Sequence, residues 1–294
     1  MIRINENDGS LLALVIPTMP ESIRKPLLDN FITVFPGKLK TTDTQAEGID
    51  NFFECLHLSW YNRYSTKART VILFYLCRII ILFSFQGNEA PEDANPSTLT
   101  KPGKKRSNPA QFIPRTSKEL QGNLEDYHQV QAIFEPLFEW IASVVRFQIC
   151  LSYYFFVNIL FHQMAKVLPE HTKILQQWVD ILPSNEFSPV FPFGGLVVNV
   201  NVATRAHRDW EDLSLCLVLE ISDCEGGELC MMEPGLVLRL RSGDAVAFPS
   251  HKVTHFNLNF KGKRASLVFH SDKAGLAWCK DGNGWKGNKY FTRA

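Results

Sequence analysis

Seven segments between residues 196 and 270 decide the fold: LVVNVNVA (196–203), LSLCLVLEI (213–221), ELCMM (228–232), LVLRLR (236–241), AVAFPS (245–250), VTHFNLNF (253–260) and RASLVFH (264–270). Each is short and rich in Val, Leu and Phe. Turn chemistry surrounds them: Gly194-Gly195 before the first, then Asp223 through Gly227, Pro234-Gly235, Ser242-Gly243-Asp244 and Lys261-Gly262-Lys263. Strand-length apolar runs punctuated in this way predict an antiparallel sandwich or small barrel, a jelly roll included. This texture begins after Pro183, so residues 183–294 are expected to form the β core.

Upstream the pattern differs. From Leu120 to about Leu182 apolar residues recur at helical spacing: Ile133, Leu137, Ile141, Val144 and Val145, then Ile174, Trp178 and Ile181. Residues 1–182 are therefore expected to be a mainly helical support, which makes the chain α+β. Residues 86–118 hold four prolines before Phe112 and few apolar side chains, which predicts a mobile basic insertion. The run Val71–Phe85 is interrupted by Arg78 and is too short to span a bilayer, so a buried helix or strand is expected. The run Val144–Phe161, broken by Arg146, Gln148 and Asn158, reads the same way.

Composition narrows the class. The chain has 294 residues, 45% hydrophobic and 21% charged, enough apolar material for a large core. Seven cysteines without any C-x-x-C spacing argue against a disulfide scaffold or a Cys-rich zinc module. The opening MIRINENDGSLL lacks a basic segment followed by an apolar one, so no secretory leader and an intracellular location are expected. Net charge is +1, yet residues 101–118 and 261–294 each carry +6, leaving −11 for the rest. That asymmetry points weakly to a polyanionic partner, with solvated basic loops as the other reading.

The chemistry-bearing residues lie in the β core. His207 and Asp209 are two apart, so on an extended segment they point the same way. With His255 they make a 2-His-1-carboxylate set, which holds Fe(II) on one face and leaves other positions open. Nine residues beyond His255 stand Arg264 and Ser266, an R-x-S pair that can grip the distal carboxylate of 2-oxoglutarate. His251 rivals His255 as a ligand; the strand character of Thr254–Phe260 favours His255, and His251 is expected to be solvated in its turn. The other readings are a surface hydrogen-bonded pair for His207 and Asp209, and an inward salt bridge beside a small core residue for Arg264 and Ser266. His57, His128, His162 and His171 read as structural histidines.

His207-Arg208-Asp209 and Arg264-Ala265-Ser266-Leu267-Val268-Phe269 resemble the TET/JBP branch of Fe(II)/2-oxoglutarate dioxygenases. Val198-Asn199-Val200-Asn201-Val202-Ala203 followed by HRDWED is similar to its fungal members. The resemblance spans about residues 190–272. It implies a double-stranded β-helix, Fe(II) and 2-oxoglutarate with O2 as co-substrate, and oxidation of a methylated DNA base flipped into the pocket. The base implied is 5-methylcytosine, taken to 5-hydroxymethylcytosine and beyond, as in DNA demethylation. His207, Asp209 and His255 transfer as metal ligands, and Arg264 and Ser266 as co-substrate ligands. Asn199, with Asn201, either touches 2-oxoglutarate or substrate or satisfies backbone at a barrel end.

For the base, the resemblance points to Asp212, three past the metal Asp, and to positions six and eight beyond the Arg, here His270 and Asp272. The family commonly has Tyr and His at those two places, which leaves N6-methyladenine as a second candidate base. By the period-2 rule Arg264, Ser266, Val268, His270 and Asp272 share a face if the strand stays regular. The Cys-rich zinc region of animal members is missing, so Lys104, Lys105, Arg106 and Lys273 are the expected DNA-backbone contacts. Trp210 reads as a packing wall more readily than as a stacking platform. Methylated DNA is the expected partner and a nuclear location follows; no membrane and no obligate protein partner are expected. The alternatives are a protein or small-molecule hydroxylase on the same fold, and a binding module whose jelly roll has lost catalysis.

Overall fold

The computed structural model describes residues 1–45, 54–61, 70–76, 79–85, 115–116, 118–145, 168–179, 190–273 and 275–276. Each of the seven apolar segments yields one strand: β8 (Gly195–Val200), β9 (Cys216–Gly226), β10 (Leu229–Met231), β11 (Leu236–Leu238), β12 (Ala245–Phe248), β13 (His255–Asn257) and β14 (Phe260–His270). N-terminal residues add β1 (Ile2–Asn5), β2 (Leu11–Ile16), β3 (Thr42–Asp43), β4 (Glu54–Tyr61), a β5–β6 pair (Thr70–Leu76, Ile79–Phe85) and β7 (Arg115–Thr116). The helices are α1 (Glu21–Arg24), α2 (Leu27–Val34), α3 (Lys118–Gly122), α4 (Leu124–Ile133), α5 (Glu135–Val145) and α6 (Pro169–Val179).

Apart from the separate β5–β6 pair, the described strands form two opposed sheets of a jelly roll. The major sheet runs β1-β2-β12-β9-β14-β8-β4-β7, with β3 also on β14. The minor sheet is β11-β10-β13. All pairings are antiparallel, and the register of β14 against both neighbours is continuous: Ser266 lies opposite Asn199 on β8 and Glu220 on β9. One face of the major sheet carries Leu14, Leu196, Val198, Leu217, Leu219, Leu267 and Phe269 and packs on the helices. Phe134, Leu137, Phe138 and Ile141 supply the helical side, and Phe138 meets Phe269 edge-on with centroids 6.3 Å apart. Burying a residue such as Phe269 contributes about 1.5–3 kcal/mol. The opposite face, bearing Val15, Val218, Val246, Phe248 and Val268, looks across at Leu229 and Met231 of the minor sheet.

The expectation of a mainly helical N-terminal portion is not clearly met among the described residues. Helices do occupy 118–145 and 169–179, but β1–β4 and β7 extend the major sheet. The reason is visible in β2. Leu11–Ile16 reads LLALVI and lies between β1 and β12 with apolar neighbours on both faces, so it shows no polar alternation to mark a strand. Val71–Phe85 divides into β5 and β6, paired from Leu76 opposite Ile79 to Thr70 opposite Phe85. Most of the expected mobile insertion, 86–114, and most of Val144–Phe161 lie outside the described residues. Among the described residues no helix is long and apolar enough to cross a membrane.

Candidate active site

His207 sits directly opposite His255 at the edge of the minor sheet. The His207 N–H donates to the His255 carbonyl (3.1 Å) and the His255 N–H to that of His207 (2.9 Å). Residues paired across an antiparallel bridge project to the same side, and the two rings stand 4.4 Å apart between centroids. Asp209 follows two residues later, its N–H anchored on the Ser250 carbonyl (3.1 Å). Its carboxylate lies 3.5 Å from His255 Nε2 and 3.8 Å from His207 Nε2. One ligand atom from each residue falls within 4.8 Å of the others.

The proton positions follow from the acceptors. His207 Nδ1 is 2.7 Å from the Arg205 carbonyl, and His255 Nδ1 is 3.0 Å from that of Val253. A carbonyl only accepts, so each Nδ1 carries a hydrogen, and in the neutral tautomer this sets, Nε2 offers its lone pair toward the shared centre. Burial pushes the Asp209 carboxyl up, while the hydrogen bond from His255 and the charges of His255 and His207, present when the rings carry a second proton, outweigh this and lower it. Two neutral imidazoles and a carboxylate are the donor set a divalent iron takes.

Side-chain alternation turns Arg208 outward. Its Nε donates to Thr254 Oγ1 (2.8 Å) and its Nη2 to Glu233 Oε1, while the Thr254 N–H donates to Glu233 Oε2 (2.7 Å). The His207–Asp209 segment is thereby clamped to the minor sheet. Against the raising effect of burial, the Thr254 and Arg208 hydrogen bonds hold Glu233 down to about 2. Trp210 also points outward: it is 62% exposed, under the Arg208 guanidinium at 5.3 Å. It is not the packing wall expected.

A second polar group lies on the interior face of the major sheet. Ala265 and Leu267 of β14 face the helices, so Arg264, Ser266, Val268 and His270 face inward. Arg264 is buried: Nη1 donates to the Val202 carbonyl (2.7 Å), Nη2 to Glu220 Oε2 (2.9 Å), and Nε has no partner. Asn199 Nδ2 donates to Ser266 Oγ (3.4 Å). Asn201, at φ 55°, is buried with neither end of its side-chain amide bonded. Buried donors left unsatisfied, here Arg264 Nε and Asn201 Nδ2, suit an anionic ligand.

The other expected residues distribute as follows. Asp212 Oδ2 accepts from Ser250 Oγ (2.6 Å), Asp212 Oδ1 faces His270 Nδ1 at 3.4 Å, and Asp212 bridges Asp272 through the backbone. Asp212, His270 and Asp272 thus meet beside Asp209, although β14 ends at His270 and strand alternation does not carry to Asp272. His251 lies outside the three-residue cluster; its ring is half-buried, and burial with the Lys252 charge lowers its pKa. Lys273 Nζ donates to the Trp210 carbonyl and lies 3.9 Å from Glu211. Lys104, Lys105 and Arg106 lie outside the described residues.

No family model and no curated protein matches the chain. Among solved structures, NgTET1 in complex with 5mC DNA aligns over 92% of this chain and 75% of that one, at 11% identity and a TM-score of 0.52. The chain has the NgTET1 fold. A BsmA homologue from Methylobium petroleophilum PM1 covers 89% of both chains at 12% identity and a TM-score of 0.31. OsALKBH1 covers 88% of this chain and 96% of its own at 10% identity and a TM-score of 0.34. Neither overlap is close enough to bear on the site.

Within this fold two interior residues escaped the sequence reading. Glu220 is the one charge in the apolar segment LSLCLVLEI, a signal available from the sequence. Ser250 is fully buried and holds both aspartates, its carbonyl taking the Asp209 backbone N–H and its hydroxyl donating to the Asp212 carboxylate. Its composition gives no hint of that role.

Proposed function

We propose that this protein is an Fe(II)/2-oxoglutarate-dependent dioxygenase acting on the methyl group of a methylated DNA base, 5-methylcytosine first and N6-methyladenine second. The carrying observation is the pairing of two sites on one interior: the His207, Asp209 and His255 cluster, with each His Nδ1 on a carbonyl, and the buried Arg264 of β14. His207, Asp209 and His255 would hold the iron. Arg264 and Ser266 would hold the distal carboxylate of 2-oxoglutarate, with Asn199 steadying the Ser266 hydroxyl. Iron with 2-oxoglutarate and O2, when bound, would supply the oxidising chemistry: one oxygen atom to a methyl C–H, giving C–OH, and the other to 2-oxoglutarate, giving succinate and CO2.

The protein's part is positioning and exclusion of water. Asp212, held by Ser250 at one oxygen, presents the other as an acceptor for an exocyclic amine on the base. His270 and Asp272 complete that wall. The DNA assignment is supported by the resemblance of the HRD and RASLVF segments and by the NgTET1 fold, and it carries the proposed nuclear location with it. Lys104, Lys105, Arg106 and Lys273 are the proposed backbone contacts.

The test incubates the full chain with Fe(II), 2-oxoglutarate and matched duplexes carrying either 5-methylcytosine or N6-methyladenine. Mass spectrometry of the digested bases is expected to show an oxidised or demethylated product. Unchanged bases, with 2-oxoglutarate turnover stimulated instead by a peptide or small molecule, would transfer the reading to a hydroxylase of those substrates.

A further inference from the structure

Glu220 sets this pocket apart from a plain cationic grip. Along β9 the interior positions are Cys216, Val218, Glu220 and Ser222, and register puts Glu220 directly opposite Ser266. Its carboxylate rests on Arg264 Nη2 at 2.9 Å, and the two side chains are only 4% and 5% exposed. The buried cluster is therefore neutral before any ligand enters. A second carboxylate on the same guanidinium would place two like charges side by side without water, and such a pair does not stay doubly ionised.

The groups around Glu220 offer little other relief. Ser222 bonds to it, and Cys224, next along the interior face, has a thiol pushed up by burial and by Glu220 itself. Asp244, whose carbonyl takes the Glu220 N–H, turns its carboxylate to Arg24 and Arg241. Among the described residues the charge offsetting Glu220 is that of Arg264. Arg264 keeps Nη1 on Val202 and has Nε still unpartnered for an incoming oxygen.

We propose that binding of the 2-oxoglutarate distal carboxylate at Arg264 is coupled to uptake of one proton by Glu220. The proton comes from solvent and joins a Glu220 carboxylate oxygen. Charge in the cluster stays at zero, with Arg264 positive, Glu220 neutral and the ligand carboxylate negative. Neutral Glu220 also becomes an O–H donor where it was acceptor-only. The inference rests on the co-substrate reading above. It makes Glu220 a positioning residue that selects against occupancy at high pH. Affinity for 2-oxoglutarate falls about tenfold per pH unit across the window where Glu220 is ionised in the free protein and protonated in the complex.

The experiment is calorimetric titration of 2-oxoglutarate into the Mn(II)-loaded full chain without O2, near neutral pH, in buffers of different ionisation enthalpy. The expected result is uptake of about one proton per ligand bound, lost in Glu220→Gln, whose affinity is also flat with pH. Binding with no proton uptake in the wild type overturns the proposal and leaves the co-substrate reading standing. Uptake that persists in Glu220→Gln overturns it too, by moving the proton elsewhere. No binding of 2-oxoglutarate overturns the co-substrate reading itself. Should the variant not fold, the wild-type proton count decides.

Discussion

His207 and His255 are set up as candidate ligands by what their far nitrogens touch. Each Nδ1 is spent on a carbonyl two residues earlier in its own chain segment, which leaves Nε2 for the centre they share with Asp209. His251 is four residues from His255 and chemically identical, yet the turn keeps it outside that cluster. Mn(II) titration is therefore expected to show His255→Ala losing at least the roughly 100-fold in affinity that loss of a supporting partner costs. His251→Ala is expected to bind as the wild type does; the reverse ranking would displace His255. Ser250→Ala removes the hydroxyl from Asp212 while keeping the carbonyl that anchors Asp209. Steady-state kinetics should show KM for the DNA substrate rising about tenfold, with metal affinity unchanged and Ser250→Thr restoring most of it. The triad and the R-x-S pair were legible because two-residue spacing on extended chain fixes a shared direction. Ser250 was not, since its role depends on two carboxylates distant in sequence.

At the scale of elements, tight approaches hold the pocket. Gly227 follows β9 with φ 78°, and a Cβ there would stand 3.0 Å from Arg264 Nε and 3.2 Å from Cδ. Gly227→Ala is expected to lose about 1–3 kcal/mol in denaturant unfolding and to weaken 2-oxoglutarate binding, because relief would come by displacing the guanidinium. The Arg208–Glu233–Thr254 clamp is a second such device. Its carboxyl titrates at about 2 in the fold against 4.5 ordinarily. A depressed carboxyl stabilises above its unfolded value, so the contribution is full above about pH 4.5 and is lost as pH falls toward 2. Thermal melts should show Glu233→Gln below the wild type near neutral pH, with the gap closing over that window; Glu233 is partly exposed, so the gap is small. The seven C-terminal strands were legible because turn residues bracket each one. β2 was not, since burial on both faces erases alternation, and Trp210 was misplaced because its outward turn follows from Asp209 pointing inward.

Across the whole molecule, one sheet joins N-terminal strands to the C-terminal core, and its two faces divide the labour. The helix-packed face, with Phe269 against Phe138 of α5 and β9 against α2, supplies rigidity. The interior face carries Asn199, Ser266, Glu220 and Arg264 opposite the edge that presents the histidines. A sheet braced on one side can hold polar groups on the other within hydrogen-bond reach of a common ligand. The near-neutral charge of the chain conceals an acidic body and two basic stretches, so it does not count against a polyanionic substrate. The central claim is coupled oxidation of a methylated base. It is tested most directly by measuring succinate and oxidised base together, with the full chain, Fe(II), 2-oxoglutarate, O2 and a duplex bearing 5-methylcytosine. The account predicts a base gaining one oxygen atom, succinate formed in step with it, and loss of both in His207→Ala. Succinate released at the same rate with or without the duplex, and the methyl group left intact, would contradict it.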